Sequence, residues 1–164
     1  MRKGFLLVFS VVLLSSCLKR EDFPNRPDIE YLGHEMVSYQ TDLADSLGYV
    51  RFGFTDGDGD LGLNPSDTFG DFAPGQMYNY NLFVRYFQKD GGVFEEVQTP
   101  GSLNGRFENL TPYSSDGTLK GEMAVGVYDG GFEPNDTVKF EMFIVDRALN
   151  HSDTVLTPEI IIQH

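Results

Sequence analysis

The sequence predicts an all-β fold, a sandwich of antiparallel strands around one core. Apolar and polar residues alternate over Leu119–Tyr128 and again from Val138 onward, which is typical of strands that bury one face. No stretch repeats apolar residues at helical spacing for three turns. The 18 glycines and 8 prolines indicate many turns, and 164 residues are enough to bury one core without disulfides. We therefore expect two packed sheets with little helix.

The predicted strands, about seven or eight of them, are separated by turn signals. The glycines of Lys89-Asp90-Gly91-Gly92 accept the positive φ of tight turns, so this segment is expected to close a hairpin. The strands are expected at about Glu30–Tyr39, Leu47–Thr55, Tyr80–Lys89, Val93–Val97, Arg106–Leu110, Leu119–Tyr128, Thr137–Val145 and Val155–Gln163. This spacing is typical of an all-β sandwich.

Composition excludes several classes of function. The chain has 12 lysines and arginines against 25 aspartates and glutamates, a formal net charge of −13, and no basic cluster, which excludes a nucleic-acid partner. Its one cysteine cannot form an intramolecular disulfide, and its three histidines lack the spacing of zinc ligands. Thiol and zinc chemistry are therefore not expected.

The N-terminus has the pattern of an export signal. Arg2 and Lys3 precede an apolar run, Phe5 to Leu14, that is too short to cross about 30 Å of hydrocarbon as a helix. Leu14-Ser15-Ser16-Cys17 resembles the lipobox of bacterial lipoproteins. This resemblance implies cleavage before Cys17 and acylation of its thiol. We thus expect a signal peptide over 1–16, a lipidated Cys17 and flexible tether over 17–28, and a sandwich domain over 29–164.

The residues after the cysteine carry sorting information. Leu18, in place of an aspartate, resembles the pattern of lipoproteins sent to an outer membrane. Lys19-Arg20-Glu21-Asp22 resembles the signal that moves Bacteroidetes lipoproteins to the cell surface. The resemblances imply a lipid anchor in the outer membrane, with the periplasmic and the cell-surface faces both left open.

A second resemblance concerns the fold. The segment from Phe140 to Ser152, which includes Asp146-Arg147-Ala148-Leu149-Asn150-His151-Ser152, looks like the penultimate strand and turn of bacterial immunoglobulin-like domains. Those domains often end in Asp-x-Ala-Gly-Asn-x-Ser, so Leu149 stands where the family has glycine. Together with the upstream segment from Phe54 to Gly62, the pattern is also similar to uncharacterised Bacteroidetes lipoproteins. It implies an immunoglobulin-like antiparallel β-sandwich.

An acidic loop follows the second predicted strand and suggests a Ca²⁺ site. Hard oxygen ligands at this spacing suit Ca²⁺, and the count almost matches a calcium-binding loop. The candidate ligands are Asp56, Asp58, Asp60, the carbonyl of Gly62, Asn64 and Asp67. Leu61 stands where an EF-hand needs glycine, and flanking helices are not expected, so we infer a calcium-type loop on a β-scaffold and not an EF-hand.

A second loop adds two further candidates. In an immunoglobulin-like sandwich the loop after the second strand and the loop before the last strand lie at the same end, which would bring Asp146 and Asn150 towards the acidic loop. The alternative is a solvated acidic turn, with Asp146 and Asn150 capping their own turn.

Three functions compete on this sequence. The first is a non-catalytic cell-envelope lipoprotein whose Ca²⁺-stabilised immunoglobulin-like module serves adhesion, assembly or binding of a protein or glycan partner. The second is a carbohydrate-binding accessory lipoprotein of an outer-membrane glycan-uptake system. With no tryptophan, its stacking residues would be Tyr78, Tyr80, Tyr113 and Tyr128. The third is a hydrolase using two carboxylates at a defined separation. The long loop from Asp56 to Met77 carries Phe69 and Phe72, which either present a ligand surface or cover the core.

Overall fold

The computed structural model describes residues 22–38, 46–99, 101–111, 117–129 and 137–161. The predicted signal peptide, Cys17 and Tyr113 lie outside this part of the chain. The strands are β1 Asp28–Ser38, β2 Ser46–Asp56, β3 Leu82–Asp90, β4 Val93–Glu96, β5 Leu119–Asp129, β6 Thr137–Ile144, β7 Val155–Leu156 and β8 Ile160–Ile161. Two 3-10 turns, Gly70–Phe72 and Met77–Asn79, are the helical elements of the described residues, and neither has the length to cross a membrane.

The strands form two antiparallel sheets that pack as a β-sandwich, which confirms the predicted fold class. One sheet has the order β1-β2-β5, and the other has the order β4-β3-β6-β7, with β8 also pairing with β6. Both sheets contain strands that are distant in sequence, as in a sandwich with crossing connections. The β-sandwich is thus shown, and its immunoglobulin-like identity stays a prediction.

The core lies between the two inner sheet faces because each strand turns alternate side chains inward. Residues of β6 alternate between half-buried and buried along the whole strand, as the sequence pattern predicts. The most buried apolar residues are Val50, Phe52, Leu61, Val138, Met142, Ile144, Val145 and Ile160. Each such side chain contributes about 1.5–3 kcal/mol by leaving water.

Two of the predicted strands differ from the structure. The strand predicted near Arg106–Leu110 is wrong: this segment forms a single bridge, from Glu108 to Leu63, and a second bridge just before it joins Gly105 to Leu82. The amide side chain of buried Asn81 bonds the backbone N–H and the carbonyl of Phe107, and so stands in for a neighbouring strand. The last predicted strand is split into β7 and β8, because the segment between them contains Pro158, which has no N–H to donate.

The chain packs against the domain earlier than expected. The tether was expected to extend to residue 28, yet Pro27 is buried and Asp28 already belongs to β1. The backbone N–H of Gly57 donates to the carbonyl of Pro24 at 2.8 Å. The Lys120 ammonium lies over the Phe23 ring at 5.6 Å from its centroid. Within the described residues, which begin at 22, packing against the domain therefore starts at Phe23.

Candidate metal centre

The end of β2 places the first aspartate inside the domain. Asp56 is in phase with Phe52 and Phe54 on the inner face of the sheet, so its side chain points into the core and is 0% exposed. Gly59 has a φ of +69° and lies so close to Gly117 that a Cβ would overlap the Gly117 carbonyl. This glycine allows the loop to reverse.

Three carboxylates converge within this short loop. One carboxylate oxygen each from Asp56, Asp58 and Asp60 lies within 4.8 Å of the others. Asp56 is buried, Asp60 is half-buried and Asp58 is exposed, so the cluster extends from the core to the surface. The loop thus brings together three of the predicted ligands.

The buried oxygens of the cluster have no hydrogen-bond partners among the described residues. These unpartnered oxygens are Oδ1 and Oδ2 of Asp56 and Oδ1 of Asp60. A buried carboxylate without a partner costs several kcal/mol, and buried charges in proteins are usually paired or coordinate a metal. The arrangement therefore needs a proton or a cation to balance its charge.

The pKa values of Asp56 and Asp60 are raised, as expected for carboxylates that are buried close to other negative charges. Burial raises the pKa of Asp56 to about 7, and the charges of Asp58, Asp60 and Asp146 add to the effect. Burial likewise raises the pKa of Asp60 to about 6, again with help from Asp146 and Asp58. The backbone amide of Asp60 opposes the first shift, although it makes no hydrogen bond of good geometry with Asp56. Both groups hold protons more tightly than ordinary aspartates.

The turn at residues 146–150 packs on the acidic loop, which confirms the predicted proximity. The backbone N–H of Ala148 donates to Asp60 Oδ2 at 3.0 Å, and the N–H of Arg147 donates to the Asp60 carbonyl at 3.3 Å. Leu149 has a φ of +65°, the left-handed conformation that favours glycine. The turn therefore keeps the shape typical of glycine at this position although it carries leucine.

Asp146 is buried beside the cluster but is engaged within its own turn. Its Oδ1 accepts a hydrogen bond from the Asn150 backbone N–H at 2.7 Å, and its Oδ2 accepts one from Asn150 Nδ2 at 2.8 Å. These bonds are the turn-capping pattern that the alternative interpretation expected. The charge of Asp146 still acts on Asp56 and Asp60, so this residue contributes to the field of the site.

The remaining predicted ligands lie in a second, separately bonded turn. The Asn64 backbone N–H donates to Asp67 Oδ2 at 2.8 Å, and Arg147 lies 3.4 Å from the same oxygen. The Arg106 guanidinium donates to the carbonyls of Asn64 and Asp67, which fixes this turn. A Cβ on Gly62, whose φ is +90°, would overlap the Glu108 carbonyl. The structure thus gives Asn64 and Asp67 partners of their own, apart from the three clustered aspartates.

The sequence did not predict an aromatic cluster on the outer face of the second sheet. The rings of Phe83 and Phe143 stack at 4.7 Å between centroids, and His151 stacks on Phe143 at 5.4 Å. Tyr78 packs edge-on against both Phe83 and His151. The apolar residues on both faces at the end of β6 are the one sequence signal for it. The Tyr78 ring therefore packs against other aromatic rings of the fold.

The other candidate aromatics differ in exposure. Phe69 is 72% exposed, whereas Phe72 and Tyr80 are half-buried. The side chain of Tyr128 lies outside the described residues. Phe69 therefore faces solvent and Phe72 is partly covered, and the choice between a ligand surface and a cover of the core stays a prediction. Comparisons with known protein families, with characterised proteins and with solved structures give no match to this chain.

Proposed function

We propose that this protein is a non-catalytic lipoprotein of the outer membrane, whose immunoglobulin-like sandwich is stabilised by Ca²⁺ and serves adhesion, assembly or partner binding. The lipid anchor at Cys17 and the location are supported by the signal pattern of the sequence. The Ca²⁺ site is supported by the three clustered aspartates and by the buried carboxylate of Asp56, which has no hydrogen-bond partner among the described residues.

The donor set favours a hard cation. Three carboxylates supply only oxygen, the donor that Ca²⁺ takes in six- to eightfold coordination with flexible geometry. The unpartnered oxygens of Asp56 and Asp60 are the atoms we assign as ligands, with Asp58 closing the site on its exposed side. Water would complete the coordination there.

The burial of Asp56 also bears on catalysis. A carboxylate that works as an acid or base must come within hydrogen-bond reach of the reacting group. Asp56 is 0% exposed, so a substrate cannot reach its carboxylate, whereas a cation can be enclosed as the loop folds. This arrangement supports a structural site over the hydrolase alternative.

Thermal unfolding of the processed chain tests the Ca²⁺ site. An ion that binds only the folded state adds about 2.7 kcal/mol to the free energy of unfolding at 100 times its Kd. We expect Tm to rise with free Ca²⁺ relative to chelator, and to rise far less in the double variant Asp58→Ala, Asp60→Ala. Glu95→Gln, an exposed acid on β4, is the matched control and should respond as the wild type does. A Tm independent of Ca²⁺ would reject the site.

The anchor has a separate test. Cys17→Ser should abolish labelling of the protein by radioactive palmitate and release it from the membrane fraction. Retained label in this variant would reject lipidation at Cys17.

A further inference from the structure

The segment Phe23–Pro27 contacts the acidic loop and the residues that follow the turn at 146–150. On one side, the Gly57 N–H donates to the Pro24 carbonyl at 2.8 Å. On the other side, the Arg26 guanidinium donates to the His151 carbonyl at 2.6 Å and also pairs with Asp153. The segment that leads from the predicted anchor into the domain therefore bridges the two sides of the candidate metal centre.

The contact at Gly57 is directly linked to the carboxylates. Gly57 lies between Asp56 and Asp58, so its peptide groups are continuous with the backbone of two proposed ligands. A Cβ at this position would lie 2.7 Å from the Pro24 carbonyl oxygen and closer still to that of Phe23. The φ of Gly57 lies outside the left-handed region, so the backbone conformation does not require glycine. Glycine is required here because a side chain would collide with the carbonyls of Phe23 and Pro24. Any movement of the loop that separates the carboxylates would move this contact.

The contact at Arg26 is linked to the opposite loop. His151 follows Asn150, the residue whose N–H and side-chain amide hold Asp146 beside the cluster. The His151 ring is also fixed, because it stacks on Phe143 and its Nε2 lies 3.1 Å from the Tyr78 hydroxyl. Arg26 thus binds the residue that directly follows the turn carrying Asp146.

We propose that Ca²⁺ binding at Asp56, Asp58 and Asp60 and docking of the segment Phe23–Pro27 are coupled, so that Ca²⁺ sets how firmly the domain is held to its anchor segment. This inference rests on the proposed Ca²⁺ site. Without the ion, the carboxylate oxygens of Asp56 and Oδ1 of Asp60 have no partner among the described residues to hold them together, and the loop around Gly57 relaxes. With the ion bound, the loop holds the geometry that accepts Pro24.

The coupling has two consequences. By linkage, docking must strengthen Ca²⁺ binding by the same factor by which Ca²⁺ strengthens docking. The segment also forms one wall of a groove of about 760 Å³ on the first sheet, whose other lining includes Leu32, Gly53 and Glu122. Release of the segment would open this groove on that side.

A tryptophan at position 23 reports docking. The chain has no tryptophan, so Phe23→Trp introduces a single tryptophan against Lys120, whose emission can be excited at about 295 nm apart from that of the tyrosines. We expect Ca²⁺ to lower the acrylamide quenching constant of this tryptophan at least about twofold relative to chelator, because the docked ring is half-buried. Phe94→Trp, on β4 of the other sheet, is the matched reporter and should show no response to Ca²⁺.

Two variants test the reciprocal effect by calorimetric titration of Ca²⁺. Gly57→Ala forces the added methyl group into the docked segment, and we expect it to weaken Ca²⁺ affinity about fivefold or more. Gly101→Ala, at a glycine with open space around it, should leave the affinity unchanged. Arg26→Ala removes the other contact from an exposed site and should weaken affinity without any steric change.

The outcomes separate the coupling from the site itself. Protection of the Phe23→Trp fluorophore by Ca²⁺, together with weaker binding in Gly57→Ala and Arg26→Ala, supports the coupling. Normal Ca²⁺ binding with an unresponsive fluorophore and unchanged affinities overturns the coupling and leaves the Ca²⁺ site intact. Absence of Ca²⁺ binding in the wild type overturns the proposed site, and the coupling with it.

Discussion

Replacing Asp56 by asparagine tests whether the buried carboxylate is a site for a cation or only a turn residue. The change keeps the size of the side chain and removes its charge. Asp56 is fully buried, and neither of its oxygens has a partner among the described residues. In chelator, therefore, the wild type should carry the cost of this charge, and Asp56→Asn should not.

The magnitude follows from the pKa. Burial and the neighbouring charges raise the pKa of Asp56 from 3.8 to about 7, a difference of about three units. At about 1.36 kcal/mol per unit, the ionised carboxylate costs about 4 kcal/mol at pH 8. The unpartnered amide of asparagine costs about 1–3 kcal/mol in its place. We therefore expect Asp56→Asn to raise the free energy of unfolding in chelator by about 1–3 kcal/mol.

Ca²⁺ should affect the two proteins differently. At 100 times the wild-type Kd, the ion adds about 2.7 kcal/mol to the wild type, whereas a hundredfold loss of affinity leaves about 0.4 kcal/mol in the variant. Urea unfolding followed by circular dichroism at pH 8, in EGTA and in Ca²⁺, measures both quantities. Glu95→Gln controls for loss of one charge and should change stability by less than about 0.5 kcal/mol in either buffer.

One result would refute this reasoning. If Asp56→Asn is less stable than the wild type in EGTA, and gains as much from Ca²⁺ as the wild type does, the carboxylate is stabilising without an ion. Asp56 would then be a satisfied turn residue, and the cluster would not be a Ca²⁺ site.

Three further predictions can be checked by unfolding or by proteolysis. In chelator, the free energy of unfolding of the wild type relative to Asp56→Asn should fall as the pH rises from about 4 to about 7. The reason is that the folded chain binds the proton of the Asp56 carboxyl more tightly than the unfolded chain does. A difference in urea midpoints that does not change with pH would contradict this prediction. Leu149→Val should lower the free energy of unfolding by about 1–2 kcal/mol while Leu149→Gly is tolerated, since a β-branched side chain is strained at a φ of +65°; equal midpoints for the two variants would exclude strain. Arg106→Lys should lower the free energy of unfolding by about 2 kcal/mol with or without Ca²⁺. An ammonium cannot reproduce the hydrogen bonds that the guanidinium donates to the carbonyls of Asn64, Asp67 and Asn79. Faster proteolysis of this loop would report the loss, and an unchanged cleavage rate would contradict the prediction.

Local patterns explain how much of the fold the sequence predicts. Alternation identifies β5 and β6 because each strand has one face on the core, and this needs no knowledge of its partner strand. The hairpin between β3 and β4 is also predictable from the local sequence, since Gly91 and Gly92 adopt the positive φ that the turn requires.

Features that depend on distant residues are not predictable in this way. Phe107 looks like a strand residue, but the side chain of Asn81 takes the place of a neighbouring strand. The spacing of Asp56, Asp58 and Asp60 identifies the acidic cluster, and the phase of Asp56 with Phe52 explains its burial. The partners of Asn64 and Asp67 include Asn109 and Arg147, which lie far along the chain and leave no local signal.

The hydrogen bond between Ala148 and Asp60 joins residues 88 positions apart, and this separation bears on the kinetics of the fold. Contacts between distant residues form late because closing a long loop costs chain entropy before the contact repays it. The two loops around the cluster would then meet only after the transition state for folding. An ion held between them would leave the folding rate nearly unchanged and slow unfolding instead. Calcium would lengthen the lifetime of the native protein, and this form of stability resists proteases and mechanical force.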